Sequence, residues 1–323
     1  MDDDPVLLEA TGGIAVLTLN RPDRHNAMGD AMDALFFRYL DLLRTDRDVR
    51  VVVWRSNGES FSCGRDMVEL VGEDPALSAP ANGHAAGRAA TQGGATGATV
   101  DAGVDDAGGE PAGAPVGPTS GETPVARPWR DHAQRHGFGA SDFEVLERSQ
   151  WGTRLLYDFP VPIVCALKGW TLGTAFERAL LCDVRVAGEG TRMALAGIDH
   201  GLIPDAAGLA KLYEIGGSSL ALDLGLSGRR VDADEALYLG LVSQVVPDDE
   251  VDAAAYDLAR GIAERPPLVV RMVREHVQAL SLPAVRGTLG RELVGQTLVL
   301  SSHDFEEQRR SRAEDREPRY ERR

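Results

Sequence analysis

Two short β-branched runs, GIAVLTL at residues 13–19 and RVVVWR at residues 50–55, flank MGDAMDALFFRYLDLLR, in which apolar residues recur at helical spacing. That order predicts a β-α-β start, since a short apolar run suits a strand and three-to-four spacing suits one face of a helix. After Phe61 the stretch SCGRDMVEL makes a glycine turn, and Asp66 stands where it can cap a short helix. From about Asp74 to about Ala140 the pattern dissolves into Ala, Gly, Pro, Thr and Asp with almost no large apolar side chains. Such a composition buries too little surface to offset its ordering entropy, so residues 74–140 read as a disordered insertion.

Periodicity returns in SDFEVLERSQWGTRLLYDF, an amphipathic helix with Ser141 as its candidate cap. A buried strand (PIVCAL), a glycine-bearing turn (KGWTLG), a small-residue helix (TAFERALLC) and another strand (DVRVA) follow in direct succession. In VDADEALYLGLVSQVV, Asp232 and Glu235 have capping-box spacing, and from Asp252 onward the chain reads as helices ending in FEEQRRSRAEDREPRYERR. By itself this alternation gives a mixed α/β protein without internal repeats.

Charge narrows the partners. With 34 Lys and Arg against 50 Asp and Glu, the net charge of -16 repels phosphate backbones and anionic membrane surfaces, so neither nucleic acid nor a membrane is expected as a partner. No apolar run approaches the roughly 20 residues of a membrane span. MDDDPVLLEA lacks the basic start and apolar stretch of a signal peptide, which predicts a cytoplasmic protein. Cys63, Cys165 and Cys182 have no C-x-x-C spacing, so neither a disulfide framework nor a metal site is expected.

Four pieces stand in a telling order: LTLNRPDRHNAM, FSCGRDMVEL, PIVCALKGWTLGTAFERALLCDVRVA, and GIDHGLIPDAAGLAKL followed by GLSGRRVDADEALYLGLVSQVVP. Together they resemble the enoyl-CoA hydratase/isomerase (crotonase) family over nearly all of the chain outside the insertion. The resemblance implies an α/β fold, a crotonase-like spiral of β-β-α units over residues 1–73 and 141–258, with a C-terminal helical oligomerisation region over 259–323. It also implies homotrimers, often paired into hexamers, and an acyl-CoA substrate. No separate cofactor is implied, because coenzyme A is part of the substrate.

Reaction at or beside a thioester carbonyl builds negative charge on its oxygen, which two convergent backbone N–H groups can hold; losing one such donor costs about 3 kcal/mol. By motif position the resemblance assigns these donors to Cys63, just before Gly64, and to Thr174, just after Gly173, where the family usually has glycine. Glu177 matches the first catalytic glutamate of the hydratases, while the second would fall on Gly197, which has no carboxylate. Asp205, after Pro204, matches the acid with which one branch of isomerases shuttles a proton between carbons 2 and 4, and reads equally as a helix cap. Asp199 and His200 are a further pair that could activate water.

For the phosphates of coenzyme A the resemblance points to Arg24 and Arg65. Arg274 lies in a region that often meets the nucleotide, Arg312 stands where the family usually has an apolar aromatic, and Val68 replaces a common lysine. The chain therefore reads as an acyl-CoA enzyme that stabilises an enolate. Double-bond isomerisation is preferred, because one glutamate plus Asp205 suits a proton shuttle. Hydration, hydrolysis of a thioester or carbon-carbon bond, and a catalytically silent acyl-CoA-binding scaffold stay open.

Overall fold

The computed structural model describes residues 4–71 and 140–321; the insertion read at 74–140 falls almost wholly outside the described residues, as do the side chains of 140–145 and with them the Ser141 cap. Strand β1 (Val6–Thr11) turns through Gly12 and Gly13, both at positive φ, into antiparallel β2 (Ile14–Leu19). Helix α1 (Asp30–Thr45), β3 (Val51–Ser56), the short α2 (Met67–Val71) and α3 (Ala140–Tyr157) come next, then β4 (Ile163–Leu167) and β5 (Trp170–Leu172). Helix α4 (Thr174–Leu181), β6 (Val184–Gly188), β7 (Arg192–Ala194) and α5 (Gly208–Ser227) lead to β8 (Val231–Asp232), α6 (Ala233–Tyr238) and β9 (Gln244–Val246). Three helices close the chain: α7 (Val251–Ala263), α8 (Pro267–Leu300) and α9 (His303–Ala313). No helix among the described residues is long and apolar enough to cross a membrane.

Among the described residues the larger sheet runs β1-β2-β3-β4-β6-β9, parallel from β2 onward, and β5-β7-β8 form a second, smaller sheet. A parallel sheet must be covered on both faces, which is why β4 is buried along its whole length and β3 is buried at all but one position. One face receives α7. Its Val251, Ala255, Ala259 and Ala263 recur every fourth residue and pack on Ile14, Val51, Val53, Val164 and Val186. The alternate residues Val52 and Trp54 point into the other layer, where Phe36, Phe61, Phe159 and Phe176 build the main core beneath α1, α3 and α4. Local caps close the elements as their sequences lead one to expect: the Asp66 carboxylate accepts from Val68 N–H at 3.2 Å, and Asp232 accepts from Glu235 N–H at 2.9 Å.

Arg178 ties α4 to α1 inside the core. Only 1% exposed, it donates to both carboxylate oxygens of Asp33, at 2.7 and 3.0 Å, and to Ser149 Oγ at 2.9 Å, while its guanidinium lies over the Phe37 ring. Removing one member of a buried ion pair strands the other charge in a medium that solvates it poorly. Arg178→Ala should therefore lower the unfolding free energy by about 3–5 kcal/mol, read from urea midpoints. A loss below about 1 kcal/mol would mean that the pair behaves like an exposed one.

Candidate active site

Gly64 sets the geometry of the first loop. Its φ of +92° is open to glycine and strained for other residues, and a Cβ there would come within 2.6 Å of the Leu172 carbonyl oxygen. The chain around it is bonded on both sides. Toward β5, Phe61 N–H donates to Lys168 O, Ser62 N–H to Trp170 O, and Leu172 N–H to Ser62 O. On the other side Cys63 N–H donates to His25 O at 2.9 Å, Met28 N–H to Gly64 O, and Asp66 N–H to Met28 O.

These bonds decide which amide faces the cavity. Met28 and Arg65 are parallel bridge partners, and in that pairing the residues flanking Arg65 carry the bonds while its own N–H turns the other way. In an unbroken strand Cys63 and Arg65 would point their amides alike; the positive φ at Gly64 breaks that alternation. The reading of Cys63 as first donor is thus corrected, because its N–H is held by His25, and the amide turned toward β5 and α4 is that of Arg65. Gly173, at φ +53°, turns the chain into α4, and Thr174 is the first residue of that helix. Its N–H has no acceptor within the helix and lies at the positive end of the helix dipole.

Arg65 and Thr174 both border a cavity of about 470 Å³. Arg24, His25, Cys63 and Arg65 to Val68 line one wall, Trp170 and Leu172 to Thr174 another, and Glu177, Gly197, Asp199, His200 and Ile203 to Asp205 are also in the lining. Glu177 is 3% exposed, and its Oε2 accepts from Ala206 N–H at 2.9 Å and Gly208 N–H at 3.1 Å. Burial, and then the neighbouring Asp205 carboxylate, push its pKa up to about 8 against the opposing pull of those amides. The half-buried Asp205 is also pushed upward by burial, with Arg178 and Arg65 pulling the other way. At Gly197 an added Cβ would meet nothing closer than Leu202 at 3.5 Å, so the glycine leaves cavity space where a longer side chain would fit.

The pair Asp199 and His200 takes a different form from that expected for water activation. Arg312 Nη1 lies 2.8 Å from His200 Nδ1, and since arginine only donates, Nδ1 is an acceptor. The ring proton then sits on Nε2, which leaves no nitrogen free to take a proton from water. Burial and Arg312 together hold the ring neutral, with its pKa lowered to about 4. Arg312 also donates to the Asp199 backbone carbonyl, so it clamps the 3-10 turn Ala196–His200.

The cations separate in the same way. Arg24 borders the cavity with its side chain 45% exposed and its Nη1 3.8 Å from Asp66. The Arg65 guanidinium is drawn back onto α1, 2.7 Å from Asp30 and 3.8 Å from Asp33, which argues against its assignment as a phosphate ligand. Arg274 is buried against Asp183 and the carbonyls of Tyr157 and Phe159, where it serves the fold. Two site residues escape the sequence reading. Arg230 lines the cavity with its guanidinium 5.1 Å from the Trp170 ring centre, and Glu292 of α8 reaches Ala207 N–H at 2.9 Å from behind Glu177. The signal for Glu292 was present: it shares a helical face with Val285, Leu289 and Gln296, all buried.

The profile described as Enoyl-CoA hydratase/isomerase matches residues 9–86 and 133–323. The chain belongs to the enoyl-CoA hydratase/isomerase family. It is similar to the 2,3-dehydroadipyl-CoA hydratase of Escherichia coli, 28% identical over 294 residues, covering 91% of this chain and 89% of that protein. It is likewise similar to the 1,2-epoxyphenylacetyl-CoA isomerase of the same organism, 24% identical, covering 94% and 92% of the two chains. In fold it is similar to an enoyl-CoA hydratase/isomerase from Pseudoalteromonas atlantica, with a TM-score of 0.72, 22% identity and coverage of 98% and 99%. The mixed α/β architecture is thus the crotonase fold.

Within this family frame Cys63 is a wall residue, with its thiol pKa pushed up to about 11 by burial. At pH 7.5 it should therefore stay almost entirely a thiol and alkylate with iodoacetamide far more slowly than free cysteine, with the rate still climbing above pH 9. Rapid labelling at neutral pH would instead identify an activated thiolate.

Proposed function

We propose that the protein isomerises the double bond of an enoyl-CoA, moving a proton between carbons 2 and 4 of the acyl chain. One arrangement carries this reading: Glu177 and Asp205 border the same cavity as Arg65 and Thr174, while Gly197 supplies no second glutamate to direct water. Starting from a 3-enoyl-CoA, the Glu177 carboxylate takes a proton from C2. The C2–H electron pair becomes the C1–C2 double bond of a dienolate, and charge moves to the thioester oxygen, where the Arg65 and Thr174 N–H groups receive it. When the carbonyl re-forms, the double bond settles between C2 and C3 and C4 takes a proton from the Asp205 carboxyl. Proton exchange from Glu177 to Asp205 restores both acids.

Arg24, exposed at the cavity edge, is the residue we assign to a phosphate of coenzyme A. An isomerase among the relatives, at 24% identity, supports the reading. The hydratase relative, at 28% identity, favours water addition as the second one. Hydrolysis through His200 loses ground because both ring nitrogens are committed, Nδ1 to Arg312 and Nε2 to its proton.

A turnover screen separates these outcomes and the silent scaffold together. Wild type should convert 3-enoyl-CoA to 2-enoyl-CoA without hydrating crotonyl-CoA, and Glu177→Gln and Asp205→Asn should each lower kcat by about 10²-fold or more. Because Glu177, with its pKa near 8, must be in its base form while Asp205 must hold its proton, kcat/KM should rise with pH as Glu177 ionises and fall as Asp205 ionises, and Glu177→Gln should abolish the rising limb. Hydration that depends on Glu177, or isomerisation untouched by Glu177→Gln, would sink the proposal.

An exposed apolar stripe on α8 supports a homo-oligomer. Val269, Val273 and Val277 recur every fourth residue and, with Leu268 and Leu280, stand exposed along it. We assign this stripe to contacts between copies in a homotrimer or hexamer. Sedimentation at micromolar concentration should give that mass, shifted toward monomer by Val273→Glu with Val277→Glu; a wild-type monomer would refute the assignment.

A further inference from the structure

Three consecutive amides at the start of α5 are divided between two buried acids. Ala206 and Gly208 donate to Glu177 Oε2, and Ala207, between them, donates to Glu292 Oε2 at 2.9 Å. The division depends on Ala207, which sits at φ +63°, ψ +14°, a left-handed conformation in which the alanine Cβ crowds the following carbonyl. That left-handed step turns the middle amide away from its neighbours and makes a small nest of N–H groups with two faces. Glu292 holds one face. It is 4% exposed, and its Oε1 is buried without a hydrogen-bond partner among the described residues.

From this division we propose that Glu292 is a positioning residue for Glu177: by holding the Ala207 amide it keeps the first turn of α5 in the left-handed step that aims two amides at one oxygen of Glu177. The inference rests on the assignment of Glu177 to proton transfer. Fixing Oε2 leaves Oε1 as the oxygen that those amides do not engage and sets the rotamer in which it meets the cavity. The fit is tight, since a Cβ on Gly208 would come within 2.4 Å of Glu177 Cγ, so any drift of the turn displaces the acid. Burial, and then the charged groups acting on Glu292, Glu177 from α4 and Asp205 from the loop before α5, push its pKa up to about 9 against the pull of the Ala207 amide. A protonated Glu292 spares Glu177 a second neighbouring negative charge and still accepts from Ala207.

Kinetics of five variants on a 3-enoyl-CoA test this. Glu292→Ala should lower kcat by about 10- to 10²-fold per folded active site with little change in KM, as expected when a reacting group is misplaced. Glu292→Gln keeps an acceptor for Ala207 and should stay within about threefold of wild type. Ala207→Gly in the Glu292→Ala background should recover much of the loss, because glycine holds the left-handed step without help. Adding Glu292→Ala to Glu177→Gln should cost nothing further. Wild-type kcat in Glu292→Ala, or a Glu292→Gln loss as deep as that of Glu177→Gln, would overturn the positioning role. Should Glu292→Ala fail to fold, the Glu292→Gln comparison decides alone. Wild-type turnover in Glu177→Gln by itself is a different failure: it removes the proton-transfer reading on which this inference stands.

Discussion

A carboxyl group buried as deeply as Glu177 is tolerable only because the first turn of α5 meets it with backbone amides. Burial and the Asp205 carboxylate drive the group toward its neutral form, the amides drive it toward its charged form, and burial prevails, leaving it titrating at about 8. Most of the surrounding architecture follows from that opposition. Gly208 lets the helix come within contact of the Glu177 stem, Ala207 accepts an unfavourable backbone conformation, and α8 crosses behind to supply Glu292.

Charge around the cavity is arranged by pairing in the core. Asp33 on α1 binds Arg178 through both oxygens and also attracts Arg65, so two cations stand near Asp205 while remaining neutralised from the other side. Asp205 therefore feels opposing influences, burial against two guanidinium groups. Arg65 is the economical element: its side chain belongs to the acids of α1, while its backbone N–H turns toward β5 and α4. The chemistry asked of this position needs only the amide, so a large charged side chain is compatible with it.

Resemblance in sequence located the two turns, Glu177, Asp205 and the missing acid at Gly197, because these are set by local order along the chain. Its choice of Cys63 fell two residues before the amide that turns toward β5 and α4. An amide's direction depends on which neighbouring segments claim the bonds beside it, and those segments, at His25, Met28 and Trp170, come from elsewhere in the chain. His200 shows the same boundary: as a residue type it could be a base, and only Arg312, more than a hundred residues later, commits its nitrogen.

What the sequence determined by itself is therefore local and periodic: the strands of the parallel sheet, the every-fourth-residue face of α7, the caps at Asp66 and Asp232, and the glycines at 64 and 173 that permit the turns. These depend on backbone preferences and on one-face burial, both written in neighbouring residues. The tertiary structure alone decided that Arg65 rather than Cys63 presents its amide, that Arg65 and Arg274 are consumed by ion pairs, and that Glu292 stands behind Glu177. Each of these turns on which distant group arrives to satisfy a buried donor or charge, and no local pattern encodes that arrival.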